Sequence, residues 1–275
     1  MSSKVIGYIT IVHPFPSVAM TLTALVLSLP LNKSYSLNKF LVFGLIILLE
    51  NFIVGLVNDL RDFRYDKAVK PYKPLVAGKI TSLDAKILLF LFLILLALTF
   101  TEFNFVIDSI FLLGLGCGLS YDLVLKITPF SFVPYTIAMP TLAIAARLVN
   151  GNLPVLLLWI CPLGALMSVA LHLTNQMNKA EESNKSGEHN ILQIIGVKNG
   201  QLLCVLVTIC SLVLFTILSL QFDLNAILME FLDLVTLVFI SIFIVFAKIG
   251  NRKALFPLTV ILSAIMGTIF IQLIL

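Results

Sequence analysis

Residues 37–57 read LNKFLVFGLIILLENFIVGLV, an apolar stretch that contains only two charged side chains. A helix of about 20 mostly apolar residues crosses the roughly 30 Å hydrocarbon core of a bilayer. Eight further stretches have the same character, so the sequence predicts an all-α, polytopic membrane protein of about nine transmembrane helices. The predicted spans are 12–31, 37–57, 83–101, 104–121, 129–149, 154–176, 200–220, 224–247 and 255–275.

The composition also indicates a membrane protein. Of the 275 residues, 60% are hydrophobic and 12% are charged, and the mean hydropathy is +1.09. Soluble domains are about 45–50% apolar and about 25% charged. The nine spans leave no stretch for a soluble domain, and we expect one integral membrane domain over residues 1–275.

Lys and Arg are distributed unevenly along the chain. Fifteen of the 18 basic residues fall at the N-terminus or after the even-numbered spans. Short loops rich in Lys and Arg stay cytoplasmic. The pattern therefore predicts that the N-terminus and the two longest polar loops face the cytoplasm. The net charge of +4 follows from this topology and from contact with the lipid bilayer, and it does not point to nucleic acid as a partner.

Polar residues cluster in two loops, about 58–82 and 175–199, each after the second helix of a four-helix block. A glycine follows each cluster, Gly78 in the first and Gly196 in the second. This pattern predicts two four-helix repeats around a central cavity, about 12–121 and 129–247, with an extra helix at about 255–275. Both polar loops would then lie over the cavity, where membrane proteins tolerate buried polar groups.

The first polar loop carries an acidic motif. Residues 58–66 read NDLRDFRYD, and at 100° per residue its polar side chains share an arc of about a quarter turn. Carboxylates this close repel one another unless a cation neutralises them, and Mg²⁺ takes such oxygen ligands together with substrate phosphates. The alternative is a solvated helix end that is paired with nearby Arg and Lys. The candidate metal ligands are Asn58, Asp59, Asp62 and Asp66.

Two lysines follow the acidic motif in the segment KPYKPLVAGKITS. Lys70-Pro71 and Lys73-Pro74 favour an extended path that presents both ammonium groups beside the acidic arc. Lys binds phosphate as a point charge. Acidic ligands followed by a stiff basic loop indicate a diphosphate held partly by metal and partly by Lys70 and Lys73.

The segment from Asn58 to Gly78 resembles the first motif of the UbiA superfamily of membrane prenyltransferases, N-D-x-x-D-x-x-x-D followed by a basic-Pro-x-basic-Pro loop and a glycine. The resemblance implies an Mg²⁺-dependent enzyme that uses Asp62 in catalysis. Such an enzyme transfers a prenyl group from an isoprenoid diphosphate to a hydrophobic acceptor and releases diphosphate. The acceptor classes are an aromatic ring, a quinone precursor, a tetrapyrrole or a lipid alcohol.

Two other positions follow from the same resemblance. The stretch SYDLVLKITPFSFVPY from Ser120 is similar to the family's Tyr-x-x-x-x-Lys segment, which implies that Tyr121 and Lys126 line the diphosphate or acceptor site. The alternative is a Tyr at the membrane interface and a Lys that only follows the positive-inside rule. The family often has Arg-Pro in the first span, where this chain has His13-Pro14. A protonated His13 can donate to a phosphate; an interfacial aromatic residue is the alternative.

The second polar loop departs from the family, whose second acidic motif follows span 6. The expected aspartates fall here on Gln176, Lys179 and Ser183. Polar residues nevertheless recur on one stripe of about 80° on a helix. The alternative is a partly solvated helix end that contains a satisfied buried histidine. The stripe consists of His172, Asn175, Lys179 and Glu182.

Two interpretations of this loss remain open. Lys179 could supply the positive charge of a second metal, with Asn175 beside it as a diphosphate or weak metal ligand and Glu182 as a metal ligand. Alternatively, the chain has lost catalysis and binds a prenyl lipid or a partner, or it cyclises the prenyl chain. Transport is disfavoured because the spans lack deep polar residues other than Glu50 and Asn51.

Overall fold

The computed structural model describes residues 2–29, 36–149, 151, 155–178, 190–221, 226–251 and 254–274. Within these ranges the regular elements are ten α-helices and two 3₁₀ turns, Phe100–Glu102 and Leu125–Ile127, without a β-strand. The all-α prediction is therefore confirmed. The helices are α1 (Ser3–Ile11), α2 (Pro14–Leu27), α3 (Leu37–Val69), α4 (Ser82–Thr99), α5 (Phe105–Leu123), α6 (Val133–Leu148), α7 (Val155–Asn178), α8 (Ile191–Gln221), α9 (Ala226–Ile249) and α10 (Leu255–Ile274).

Each predicted span overlaps one helix, from α2 to α10. By length and composition, five helices in the described part of the chain can cross a membrane individually, namely α3, α4, α5, α7 and α8. Helices α1 and α2 meet at a bend of 41° and together qualify as a sixth span. A polytopic membrane fold is thus established, whereas the count of nine crossings stays a prediction.

Two helices extend beyond their predicted spans. Helix α3 continues past the predicted membrane span to Val69, because no helix breaker occurs before Pro71. Helix α8 begins at Ile191, and its backbone is broken at Gly196 (φ 79°, ψ 158°), a conformation open to glycine. The first acidic motif therefore lies on a helix, and the connecting segment shortens to residues 70–81.

The chain forms two compact units. The first contains Met1–Val124 and Thr141–Leu153, and the second contains Leu125–Pro140 and Pro154–Leu275. The boundary between them falls inside α6, at Pro140. The single domain and the two repeats inferred from the sequence stay predictions.

The larger core of the first unit joins α3 to α5. Phe43 and Ile46 of α3 are fully buried and pack in the same cluster as Phe111 of α5. The two helices approach closely at Gly118, where an added Cβ would lie 2.7 Å from Cγ2 of Val54. Only a residue without a side chain fits this contact.

A smaller core supports the acidic motif. Ile11 of α1, Leu56 of α3, and Leu75 and Ile80 of the connecting segment are buried together. Leu56 precedes Asp59 by about one helical turn, and Leu75 comes two residues after Lys73. Burial of these apolar side chains therefore fixes the motif and its basic segment in one place.

The second unit packs α7 against α8 and α10. Leu163, Met167 and Met177 of α7 are buried with Phe215 of α8 and Leu262 of α10. This core leaves a polar cluster on α7 near its C-terminal end, which is described below.

Candidate active site

The acidic side chains on α3 differ in burial. Asp59 and Asp66 are 2% and 1% exposed, whereas Asn58 and Asp62 are half-buried. Asp59 and Asp66 are two turns apart and point in nearly the same direction, about 20° from each other on an ideal helix. The motif thus has a buried carboxylate pair, flanked by Asn58 and Asp62.

Lys73 bridges the buried pair. Its Nζ donates to Asp59 Oδ1 at 2.7 Å and to Asp66 Oδ2 at 2.6 Å. Burial by itself lowers the pKa of Lys73, but the hydrogen bonds and charges of the two aspartates outweigh it and hold the pKa above its ordinary value. Lys73 therefore remains an ammonium and neutralises part of the negative charge on the pair.

The connecting segment places Lys73 by hydrogen-bonded turns and not by the predicted extended path. The amide of Lys73 donates to Lys70 O at 3.1 Å, and the amide of Ala77 donates to Lys73 O at 2.8 Å. Gly78, with φ 67°, then turns the chain toward α4. The side chain of Lys70 lies farther out, with its Nζ 3.8 Å from Asp66 Oδ1. Both lysines thus lie beside the carboxylate pair, and Lys73 makes the direct hydrogen bonds.

His13 approaches the same pair from the bend between α1 and α2. Its backbone has φ 48° and ψ 60°, a left-handed conformation that is uncommon for a residue with a side chain. Its Nε2 lies 3.1 Å from Asp59 Oδ1, a hydrogen bond when the ring proton is on Nε2. The ring packs over Gly55, where an added Cβ would lie 2.9 Å from Cδ2. His13 therefore contacts a carboxylate of the motif.

The carboxylate pair retains oxygens suited to a hard cation. Asp59 Oδ2 and Asp66 Oδ1 are buried and accept no hydrogen bond within the described part of the chain. Mg²⁺ binds such oxygens, so the donor type fits this metal. Among the described residues no three His, Cys, Asp or Glu side chains converge as a metal-binding group. The carboxylates are instead brought together by the ammonium of Lys73.

Tyr121 and Lys126 lie on either side of the boundary between the two units. Tyr121 is half-buried near the end of α5, and Lys126 is half-buried in the 3₁₀ turn Leu125–Ile127. Their roles stay predictions.

The second polar region shows a buried network on α7. His172 Nε2 lies 3.0 Å from Ser131 Oγ, and Gln176 Nε2 donates to the same oxygen at 2.9 Å. The ring of Tyr135 lies over His172, with centroids 4.8 Å apart. Asn175 is half-buried beside this network. The predicted ligands Lys179 and Glu182 lie outside the described residues.

Several of these contacts have no signal in the sequence. Gly55 stands in no motif, and Ser131 has no assigned position in the stretch from Ser120; the importance of both follows from side chains distant in the chain. Gln176 has a partial signal, because the family pattern expects an aspartate there. It is 9% exposed, and its Oε1 has no partner within the described part of the chain.

A comparison with known families decides the class of the protein. Residues 17–261 match the UbiA prenyltransferase family. The chain belongs to this family. Together with its apolar helices, this membership establishes an integral membrane protein.

Relatives of this UbiA family member include a probable homogentisate phytyltransferase 2, chloroplastic, from Oryza sativa subsp. japonica. It is 32% identical over 133 residues, which cover 46% of this chain and 34% of the rice protein. The chain thus matches about a third of the length of that curated relative.

Solved structures share the fold of this UbiA family member. A structure of digeranylgeranylglyceryl phosphate synthase has a TM-score of 0.79 at 16% identity and covers 98% of both chains. A UbiA homologue from Archaeoglobus fulgidus bound to GPP and Mg²⁺ has a TM-score of 0.72 at 16% identity, covering 96% of this chain and 99% of the other. At these identities the likeness concerns the fold.

Proposed function

We propose that this protein transfers a prenyl group from an isoprenoid diphosphate to a lipophilic acceptor and releases diphosphate. The observation that carries the proposal is the buried carboxylate pair Asp59 and Asp66, held by Lys73 at 2.7 and 2.6 Å. Carboxylate oxygens and an ammonium at one place suit a metal diphosphate. Family membership and the GPP and Mg²⁺ bound by the Archaeoglobus fulgidus homologue support the same chemistry.

The residues of the first motif have distinct roles in this proposal. Asp59, Asp62 and Asp66, with Asn58, hold Mg²⁺, and Lys70 and Lys73 bind the diphosphate. When bound, Mg²⁺ neutralises negative charge that accumulates on the departing diphosphate. His13 orients Asp59 through its hydrogen bond of 3.1 Å. The positions of these groups before the bond breaks provide electrostatic stabilisation of the leaving group.

The acceptor is a lipophilic molecule in this proposal. Acceptor classes consistent with it are an aromatic ring, a quinone precursor, a tetrapyrrole and a lipid alcohol, and the rice relative is named for an aromatic acceptor, homogentisate. Tyr121 and Lys126 line the diphosphate or acceptor site. The acidic motif and the N-terminus face the cytoplasm, as the distribution of Lys and Arg indicates.

A catalytically impaired binding protein is the second candidate. One observation favours it: buried Gln176, His172 and Ser131 form a hydrogen-bonded network where the family expects a metal-binding aspartate. The amide of Gln176 supplies less negative charge to a metal than the carboxylate of an aspartate.

One experiment separates the two candidates. Purified protein in lipid nanodiscs is incubated with labelled prenyl diphosphates of several chain lengths and a membrane lipid extract, with and without Mg²⁺. The transferase predicts a labelled lipid product and stoichiometric diphosphate only when Mg²⁺ is present. Saturable donor binding without product would establish the binding protein, and conversion of the donor to a cyclic hydrocarbon, with loss of diphosphate and a proton, would establish a cyclase.

A further inference from the structure

Lys73 lies where its ammonium can contact either the buried carboxylate pair or a bound diphosphate. Its Nζ contacts one oxygen of each buried aspartate, so it occupies the carboxylates that the proposed function gives to Mg²⁺. A divalent cation that binds the same pair while Lys73 remains in place meets a like charge at very short range, and such charges repel strongly in a buried site.

Each aspartate of the pair has one oxygen that Lys73 does not contact, and a metal ion can bind there. Asp59 Oδ2 and Asp66 Oδ1 are buried without a hydrogen-bond donor in the described part of the chain. The pair can therefore accept a metal, but its negative charge is already partly neutralised by the ammonium. A free metal ion therefore binds this site less favourably than a metal ion that is already bound to an anion.

We propose that Lys73 makes the site selective for a metal diphosphate over a free metal ion, by competing with the metal for Asp59 and Asp66 and moving onto the diphosphate. This inference rests on the proposed function and assigns Lys73 a specificity role within it. The flexible stem of lysine allows the ammonium to change partners. Asp59 then keeps its contact with His13 Nε2, 3.1 Å from Oδ1, and Asp66 keeps Lys70 nearby at 3.8 Å.

The proposal predicts opposite effects of one substitution on two ligands. In Lys73→Gln, the affinity for Mn²⁺ alone rises about tenfold or more, because the competing ammonium is gone and a charge-assisted hydrogen bond is worth at least that factor. The affinity for a labelled, unreactive prenyl thiolodiphosphate at saturating Mn²⁺ falls by a similar factor, because the diphosphate loses its ammonium partner.

A matched control separates direct competition from general electrostatics. Lys67 is exposed, adjacent to Asp66 in sequence, and packs its ammonium over the Phe63 ring at 4.5 Å. Lys67→Gln removes the same charge without removing a hydrogen bond to the pair. Mn²⁺ binding is followed by the electron paramagnetic resonance signal of free Mn²⁺ in nanodisc samples at pH 7.5. The change in Lys67→Gln measures the effect of losing one nearby positive charge without losing a hydrogen bond to the pair.

The outcomes decide the proposal. Opposite shifts in Lys73→Gln, both larger than in Lys67→Gln, support it. The competition is refuted if the Mn²⁺ affinity of Lys73→Gln is unchanged, falls, or rises only as much as in Lys67→Gln. The move onto the diphosphate is refuted if analogue binding is unchanged.

If Lys73→Gln does not fold, Lys73→Arg serves instead. The arginine fork binds carboxylates bidentately, so we expect a Mn²⁺ affinity below that of the wild type, and a higher affinity contradicts the proposal. Failure of wild-type protein to bind the analogue at all would refute the proposed function, while the Mn²⁺ arm still tests the competition.

Discussion

The contact between Gly55 and His13 predicts that a single added methyl group disturbs the acidic site. In Gly55→Ala the new Cβ would lie 2.9 Å from His13 Cδ2, whereas carbon atoms settle at about 3.5–4.0 Å. The ring must therefore move by roughly 0.5–1 Å. The hydrogen bond from His13 to Asp59, now 3.1 Å, then lengthens beyond the useful range of about 3.2 Å.

The magnitude follows from two opposing effects. Overpacking of this kind costs about 1–3 kcal/mol. Alanine recovers about 0.5–1 kcal/mol relative to glycine inside a helix. The expected net loss is about 1 kcal/mol, or a melting temperature lower by about 2–4 °C for a chain of this size. The loss of the hydrogen bond to Asp59 should also reduce turnover about tenfold or more, since bonds to charged groups contribute about 1.5–3 kcal/mol and 1.4 kcal/mol corresponds to about a factor of ten.

Gly116→Ala is the matched control, because Gly116 is also helical and its added Cβ would meet no atom within 4 Å. Both variants are melted in the same detergent, and Mg²⁺-dependent diphosphate release is measured for each. We expect Gly116→Ala to equal or exceed wild type in melting temperature and to match it in turnover. If Gly55→Ala behaves like Gly116→Ala in both measurements, His13 does not support the site through Gly55.

Three further outcomes are expected. Gly118→Ala should destabilise the protein by about 1–3 kcal/mol because its Cβ would lie 2.7 Å from Val54 Cγ2, and Val54→Ala in the same chain should restore the melting temperature; no restoration would refute this packing. Gln176→Leu should destabilise the protein by about 0.5–1.5 kcal/mol, because it removes the amide that donates to buried Ser131 Oγ at 2.9 Å; an unchanged melting temperature would refute this network. Chelation of divalent metal should abolish diphosphate release and added Mg²⁺ should restore it, whereas turnover in chelator would remove the metal from the mechanism.

The helical fold was accessible from the sequence because hydropathy and length are local properties. The stretch 37–57 alone predicts a membrane helix, and α3 indeed begins at Leu37. The apolar stretch stops at residue 57 whereas α3 continues to Val69, because hydropathy marks only the part of the helix inside the bilayer, while helical hydrogen bonding continues until the chain nears Pro71.

The acidic motif was likewise accessible, but its internal pairing was not. A helical projection places Asp59 and Asp66 on one face. It does not show that Lys73 bridges them, since this depends on the turns at residues 70–78. The contact of His13 with Asp59 joins residues 46 positions apart, and that of His172 with Ser131 joins residues 41 apart. Such contacts depend on helix packing, which no local pattern encodes.

The central claim is that the first acidic motif releases diphosphate from a prenyl donor in a metal-dependent reaction. The most direct test is the initial rate of diphosphate release from labelled geranyl diphosphate, with Mg²⁺ and membrane lipid extract, by wild type, Asp62→Asn and Glu102→Gln. Glu102 is exposed, hydrogen-bonded to Asn38 at 3.0 Å, and outside the motif. We predict Mg²⁺-dependent release by wild type and Glu102→Gln, and a rate at least about 100-fold lower in Asp62→Asn, the scale on which loss of one electrostatic group slows catalysis. Equal rates in wild type and Asp62→Asn would contradict the claim.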